Sequence, residues 1–266
     1  MNQDQVKETL LAVAGAPMDF SVIFSGKKSR KVNGLYKPDV REIIIHNHNF
    51  SDDRENTDNL LLYTALHEYA HHLHACSRGG TLSSRVHTTE FWAIFHDLLE
   101  KAEAKGLYKN VFTNAPELEA LTETIRRRYL QENGALFKEL GMHLLNAHEI
   151  CVKIGARFED YLDRMLRIPR TAATMAVRTY RYGLDSRLGA DNMRFLASIG
   201  NEESRTKAEQ ALLTGKSPDS VKIAVRRGRR EEDPRERLEK EKDRLERTID
   251  ALHKRLAQIE QELGKR

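Results

Sequence analysis

The spacing of apolar positions changes character twice along the chain. Up to about residue 115 helical and strand rhythms alternate. From Gln3 to Ala14 apolar residues fall at 6, 10, 11 and 13, which predicts a helix. Phe20 to Phe24 reads as a strand, Ser25-Gly26-Lys27-Lys28 as a turn, and Arg30 to Tyr36 as the return strand, closed by Pro38. Arg41 to His46 (REIIIH) carries the strongest strand pattern. Asn47 to Asp53 is a loop in which Ser51 or Asp52 caps the next helix. That helix runs from Asn56 to about Cys76 through Leu60, Leu61, Tyr63, Thr64 and Leu66, and Gly79-Gly80 ends it. Another fits Thr89 to Lys105, carrying Phe91, Trp92, Phe95, Leu98 and Leu99.

Beyond residue 115 only helical spacing remains. A stretch from Ala115-Pro116 through Leu118, Leu121 and Ile125 ends on Arg126-Arg127-Arg128. Helices follow at Ala135 to Ile154, Ala156 to Leu166 and, after Arg167-Ile168-Pro169-Arg170, at Thr171 to Tyr182. Glu203 to Leu213 precedes Thr214-Gly215-Lys216-Ser217, where Ser217 caps and Pro218 takes the first helical position of another. After Pro234 the rhythm becomes a heptad. Leu238, Leu245, Leu252 and Ile259 alternate with Lys242, Ile249, Leu256 and Leu263, an a/d seam with one polar defect. The expected fold is an α+β domain at 1–115 with a small sheet and an active-site helix, an all-α region at 116–230, and a coiled-coil helix at 231–266.

Composition sharpens this division. Net charge is −1 over 1–115, +6 over 116–230 and −1 over 231–266, and eight of the 11 histidines lie in the first part. Histidine chemistry and positive charge thus occupy different stretches, as in a reactive module joined to a binding module. Two cysteines cannot build a disulfide framework and point to a reducing, cytoplasmic setting. No apolar run has the length of a membrane span. Leu10 to Met18 mimics a signal core, but Asp4 and Glu8 spoil a basic leader, favouring an amphipathic first helix.

The chemistry concentrates at His67-Glu68-Tyr69-Ala70-His71, an HExxH motif. Residues four apart share one helix face, so His67 and His71 can grip one zinc ion per chain. Glu68 then lies beside the metal as general base. A catalytic zinc takes three protein ligands and leaves one position open. His87, past the glycine break, is the best third ligand; Glu90, one turn along the next helix, is its rival. His72 points away from the shared face and reads as a neighbour of the site or as surface. His74 shares the face but lies ~10 Å along the axis from His67, beyond one ion's reach. His46 and His48 read as loop histidines, and Tyr36 and Tyr69 as oxyanion donors by residue type alone. Cys76 reads as a buried apolar residue.

With His87-Thr88-Thr89-Glu90-Phe91-Trp92, residues 15–106 resemble the SprT-like zinc metalloproteases, and equally the YgjP-type peptidases with their His-x-x-x-Phe-Trp tail. The chain departs from the SprT pattern at Thr88, where that pattern has Gly, and has no zinc-ribbon cysteine set. The resemblance implies a zincin-like fold, His67, His71 and His87 as zinc ligands, Glu68 as base and a protein substrate.

Residues 144–182 resemble the helix-turn-helix segments of small phage and plasmid proteins. On that reading Thr171, Thr174, Arg178 and Arg181 face a DNA groove, while Arg167, Arg170 and Arg187 pair with phosphates. Arg226, Arg227, Arg229 and Arg230 form a second basic cluster suited to phosphates. The rival is a packed helical hairpin with a solvated basic face. The heptads at 235–266 predict a homodimer, with packing against an earlier helix of the same chain as the alternative. Two functions follow: a zinc peptidase cutting DNA-crosslinked proteins or a repressor, or a DNA-binding coiled-coil accessory protein whose metal site is structural or inactive.

Overall fold

The computed structural model describes residues 1–50, 57–80 and 86–231 (backbone alone for 113, 114 and 229–231), then 242, 243, 245, 246, 248–250, 252, 253 and 256. They form two compact units, Met1–Ile223 and Ala224–Arg266. The fold is mostly helical α+β with one three-stranded sheet among the described residues.

In the first unit, α1 (Gln3–Val13) starts in a reciprocal cap between Asn2 and Gln5, which satisfies two orphan backbone donors. Strands β1 (Ser21–Phe24), β2 (Gly34–Lys37) and β3 (Glu42–Ile45) lie in the order β1-β3-β2. β1 runs parallel to β3 with Ser21 opposite Glu42; β2 runs antiparallel to β3 with Gly34 opposite Ile45. This corrects the expected return strand at Arg30 to Tyr36. Asn49 ties up the segment before Gly34, its Nδ2 donating to Ser29 O (2.9 Å) and Asn33 Oδ1 (2.8 Å). The most apolar strand takes the centre, with Ile43 and Ile45 fully buried. Helices α2 (Thr57–Ser77) and α3 (Thr89–Ala104) close one core with α1 and the sheet, through Leu10, Ile43, Leu66, Tyr69, Phe91 and Phe95. Ser51 and Asp52, the expected caps of α2, lie outside the described residues.

The helical part is built on one long element. α4 (Pro116–Thr124), a π-helical stretch Ile125–Gln131 and α5 (Glu132–Lys153) run without a break, where the sequence pattern predicts two helices. Gly134 lies inside this helix at a close approach: a Cβ there would lie 2.3 Å from the Ser186 carbonyl oxygen. α6 (Phe158–Asp160) passes into π-helical turns Tyr161–Leu166 and ends at Arg167, whose φ of 54° is left-handed. Then come α7 (Arg170–Arg181), α8 (Gly189–Ala197), α9 (Glu202–Leu213) and α10 (Pro218–Glu231). Ser217 caps α10 as expected, its Oγ accepting the Ser220 N–H at 3.2 Å. A second core joins Phe137, Leu144, Leu162, Ala173, Ala176 and Ala190. An ion pair between Lys216 and Glu100 links the α9–α10 turn to α3.

In the second unit the described positions from 242 to 256 are helical. Leu245, Ile249, Leu252 and Leu256 are each about half exposed or more, at the heptad spacing. Leu238, Ile259 and Leu263 lie outside the described residues. No described helix is long and apolar enough to cross a membrane.

Candidate metal centre

The later turns of α2 bury an unusual set for a helix: Glu68, His71, His72 and His74 alongside Leu66, Tyr69 and Ala70. His67 and His71 present one face by their spacing. His87 reaches it from the turn before α3, whose first turn is capped by Thr88 Oγ1 accepting the Phe91 N–H at 3.2 Å. One ring nitrogen from each of His67, His71 and His87 lies within 4.8 Å of the others, so the three can hold a metal ion. The ring centroids form a near-equilateral triangle with sides of 5.0, 5.0 and 5.1 Å. Phe91 is its floor, stacked on His71 at 4.2 Å and 4.9–5.0 Å from the other two.

The donor chemistry fits a metal. The His67 and His87 Nε2 atoms are 3.1 Å apart, close to the ~3.3 Å separating two imidazole nitrogens around one tetrahedral zinc. Burial, and secondarily the neighbouring imidazoles, lowers the His67 pKa to about 4 and the His71 pKa to about 3. Both are therefore neutral at pH 7, with lone pairs free to coordinate.

Glu68, only 6% exposed, packs against β2. It accepts the Tyr36 backbone N–H, and a Cβ on Gly34 would meet Glu68 Cγ at 3.0 Å and Oε1 at 3.2 Å. Burial pushes the Glu68 pKa up to about 7, opposed by the Tyr36 hydrogen bond. Gly34 and Tyr36 are the contacts that sequence reasoning missed. A glycine inside a strand pattern, the usual sign of close backbone approach, was the available signal.

The remaining candidates separate cleanly. His72 is a core residue, fully buried, with Nδ1 on the Tyr36 hydroxyl (3.0 Å) and Nε2 on Met18 O (3.1 Å), not a surface one. The Tyr69 hydroxyl donates to Ala14 O at 2.7 Å, so both tyrosine hydroxyls serve the scaffold. His74 is buried, but neither it nor Glu90 belongs to the histidine group. His46 Nδ1 pairs with Ser25 Oγ at 2.8 Å, and His48 sits in a short 3₁₀ helix, Asn47–Phe50. Cys76 is half-buried beside His72 and Cys151 is buried; both are free.

On α7, Thr171, Thr174, Arg178 and Arg181 are all exposed and share one face, opposite Ala173, Ala176 and Thr179, which are buried. The Arg170 guanidinium is held by Asp163, with Nη2–Oδ2 at 2.5 Å, and Arg187 is held by Asp185 at 2.6 Å. Two of the cations expected to contact phosphate, Arg170 and Arg187, thus already have a carboxylate partner. Arg167 is exposed at the turn, and Arg226 and Arg227 are exposed on α10. The Arg229 and Arg230 side chains lie outside the described residues. Comparisons of this chain with protein-family models, with curated proteins and with solved structures give no match.

Proposed function

We propose that this chain is a zinc-dependent endopeptidase of SprT-like or YgjP-like type, with a zincin-like N-terminal domain, acting on DNA-associated proteins. One observation carries the reading: three imidazoles converge on one point, two of them, both neutral at pH 7, borne by the helix that also carries a buried glutamate whose pKa is raised to about 7. Three nitrogen ligands with a position left open is a catalytic zinc set. Zinc bound there would supply Lewis-acid activation of a water and of the scissile carbonyl. Glu68, poised between its two protonation states at neutral pH, takes up a proton and returns it to the leaving amine. Phe91 shields the site from below, and the Tyr36 N–H fixes the Glu68 carboxylate.

The exposed α7 face of Thr171, Thr174, Arg178 and Arg181 supports the DNA-binding part of the reading, with Arg167, Arg226 and Arg227 as further phosphate contacts. The half-exposed Leu245, Ile249, Leu252 and Leu256 support homodimerisation through 235–266, which would double that basic surface. The hydrogen bond tying Glu68 to β2 favours a second reading, a DNA-binding coiled-coil accessory protein with a structural metal. A cleavage assay with zinc, with and without single- and double-stranded DNA, separates them. DNA-stimulated cleavage, lost in Glu68→Gln at unchanged zinc content, is expected of the peptidase. Retention of all cleavage by Glu68→Gln would sink it.

A further inference from the structure

His87 differs from its two partners in how it is held. His67 and His71 are fixed by the helix that carries them, whereas His87 sits in a turn and is exposed. Among the described residues its hydrogen-bond partner is His67 Nε2, the atom with which it would share an ion. Metal-binding histidines usually have the other ring nitrogen anchored to a carboxylate, carbonyl or water, which sets the orientation of the ring. Here the ring lies against a flat surface. The Trp92 indole stacks on His87 with centroids 5.6 Å apart and planes at 28°. His96, one turn further along α3, stacks beside the same indole at 6.0 Å and 29°. Phe91 meets both Trp92 (5.2 Å, 75°) and His87 (4.9 Å, 68°) edge-on.

We infer that Trp92 is a positioning residue for the third ligand: stacked along His96, it holds the His87 imidazole in the plane from which its nitrogen reaches the ion. The inference rests on the metal reading above. It assigns Trp92 no contact with the ion. A flat face at that position is what the site requires, so phenylalanine substitutes for it and a branched aliphatic side chain of similar bulk does not.

The test measures zinc affinity of the full chain by competition with a chromophoric chelator, alongside thermal unfolding of the metal-free forms. Trp92→Leu keeps most of the packing volume but removes the flat face. It is expected to unfold close to wild type and to bind zinc about 10–100-fold more weakly, the usual cost of losing a supporting contact. Trp92→Phe is expected to stay within about threefold of wild type. With cobalt(II) in place of zinc, the visible absorption of Trp92→Leu should match that of His87→Ala, showing that the lost contact acts through this ligand. Wild-type affinity in Trp92→Leu, or equal loss in Trp92→Phe and Trp92→Leu, would overturn the inference. Failure of the wild type itself to bind zinc would overturn the metal reading first.

Discussion

Helices α2 and α5 have almost the same length, 21 and 22 residues, yet they bury opposite chemistry. α2 hides twelve residues, among them Glu68, His71, His72 and His74, and is covered on most sides. α5 hides five, Gly134, Phe137, Gly141, Leu144 and Cys151, along one face. Burying titratable side chains is costly unless something compensates. On α2 part of the compensation is visible as His72 bound to Tyr36 and Met18; for His67 and His71 it is the capacity to hold a metal. α5 carries no such burden. Its glycines let backbones meet: a Cβ on Gly141 would lie 2.0 Å from the Ala176 carbonyl oxygen. One helix is shaped by a candidate metal centre, the other by the fit of α7, whose outer basic face it supports.

Substitutions can break this contrast from either side. The largest expected effect is His71→Ala, which removes a helix-borne ligand and should weaken zinc binding roughly 100-fold or more, read by chelator competition. Its counterpart, Gly141→Leu, should leave zinc stoichiometry at wild-type level. It forces α5 away from α7 and should cost about 3 kcal/mol in denaturant unfolding. Unchanged stability there would remove the close-packed seam from the account.

Glu68→Gln sharpens the α2 side. The folded pKa of Glu68 is raised from 4.5 to about 7, so the native state holds an extra proton between those values. Wild-type stability is then lost as pH rises from 4.5 to 7, and the loss is complete above 7. In chelator, Glu68→Gln should be more stable than wild type at pH 8 by on the order of 2 kcal/mol, and the gap should close towards pH 4.5. His67 and His71, with lowered pKa values, destabilise both proteins as pH falls below 6.5, so they cancel in the difference. A gap independent of pH would contradict the buried state of this carboxyl. The smallest effect belongs to the α7 face: Arg178→Ala and Arg181→Ala should each lower the slope of log affinity against log salt for DNA by about 1. An unchanged slope for both would remove this face as the phosphate contact.

The sequence was most readable where a short-range rule applied. HExxH spacing alone brings His67 and His71 to one helix face, and Ser217-Pro218 alone starts α10, because both depend on backbone geometry within one turn. The strand at 42–45 was legible from three consecutive isoleucines. Pairing was less legible. β2 returns to β3 rather than β1, because the most apolar strand gains most from the centre of the sheet. Two helices were expected, one ending on Arg126-Arg127-Arg128 and one starting at Ala135, yet the helix runs through, and Gly134 inside it packs against Ser186 far along the chain.

By itself, the sequence determined the helical and strand rhythms, the paired histidines on one turn of helix, and the division between histidine-rich and basic stretches. All of these follow from periodicity and composition. Only the tertiary structure decided that His87 meets that pair, that Tyr36 and Gly34 close on Glu68, and that Arg170 and Arg187 are held by carboxylates. Those contacts join residues whose separation along the chain says nothing of their distance in space, and burial, which sets the charge state of His67, Glu68 and His71, exists only once the chain is packed.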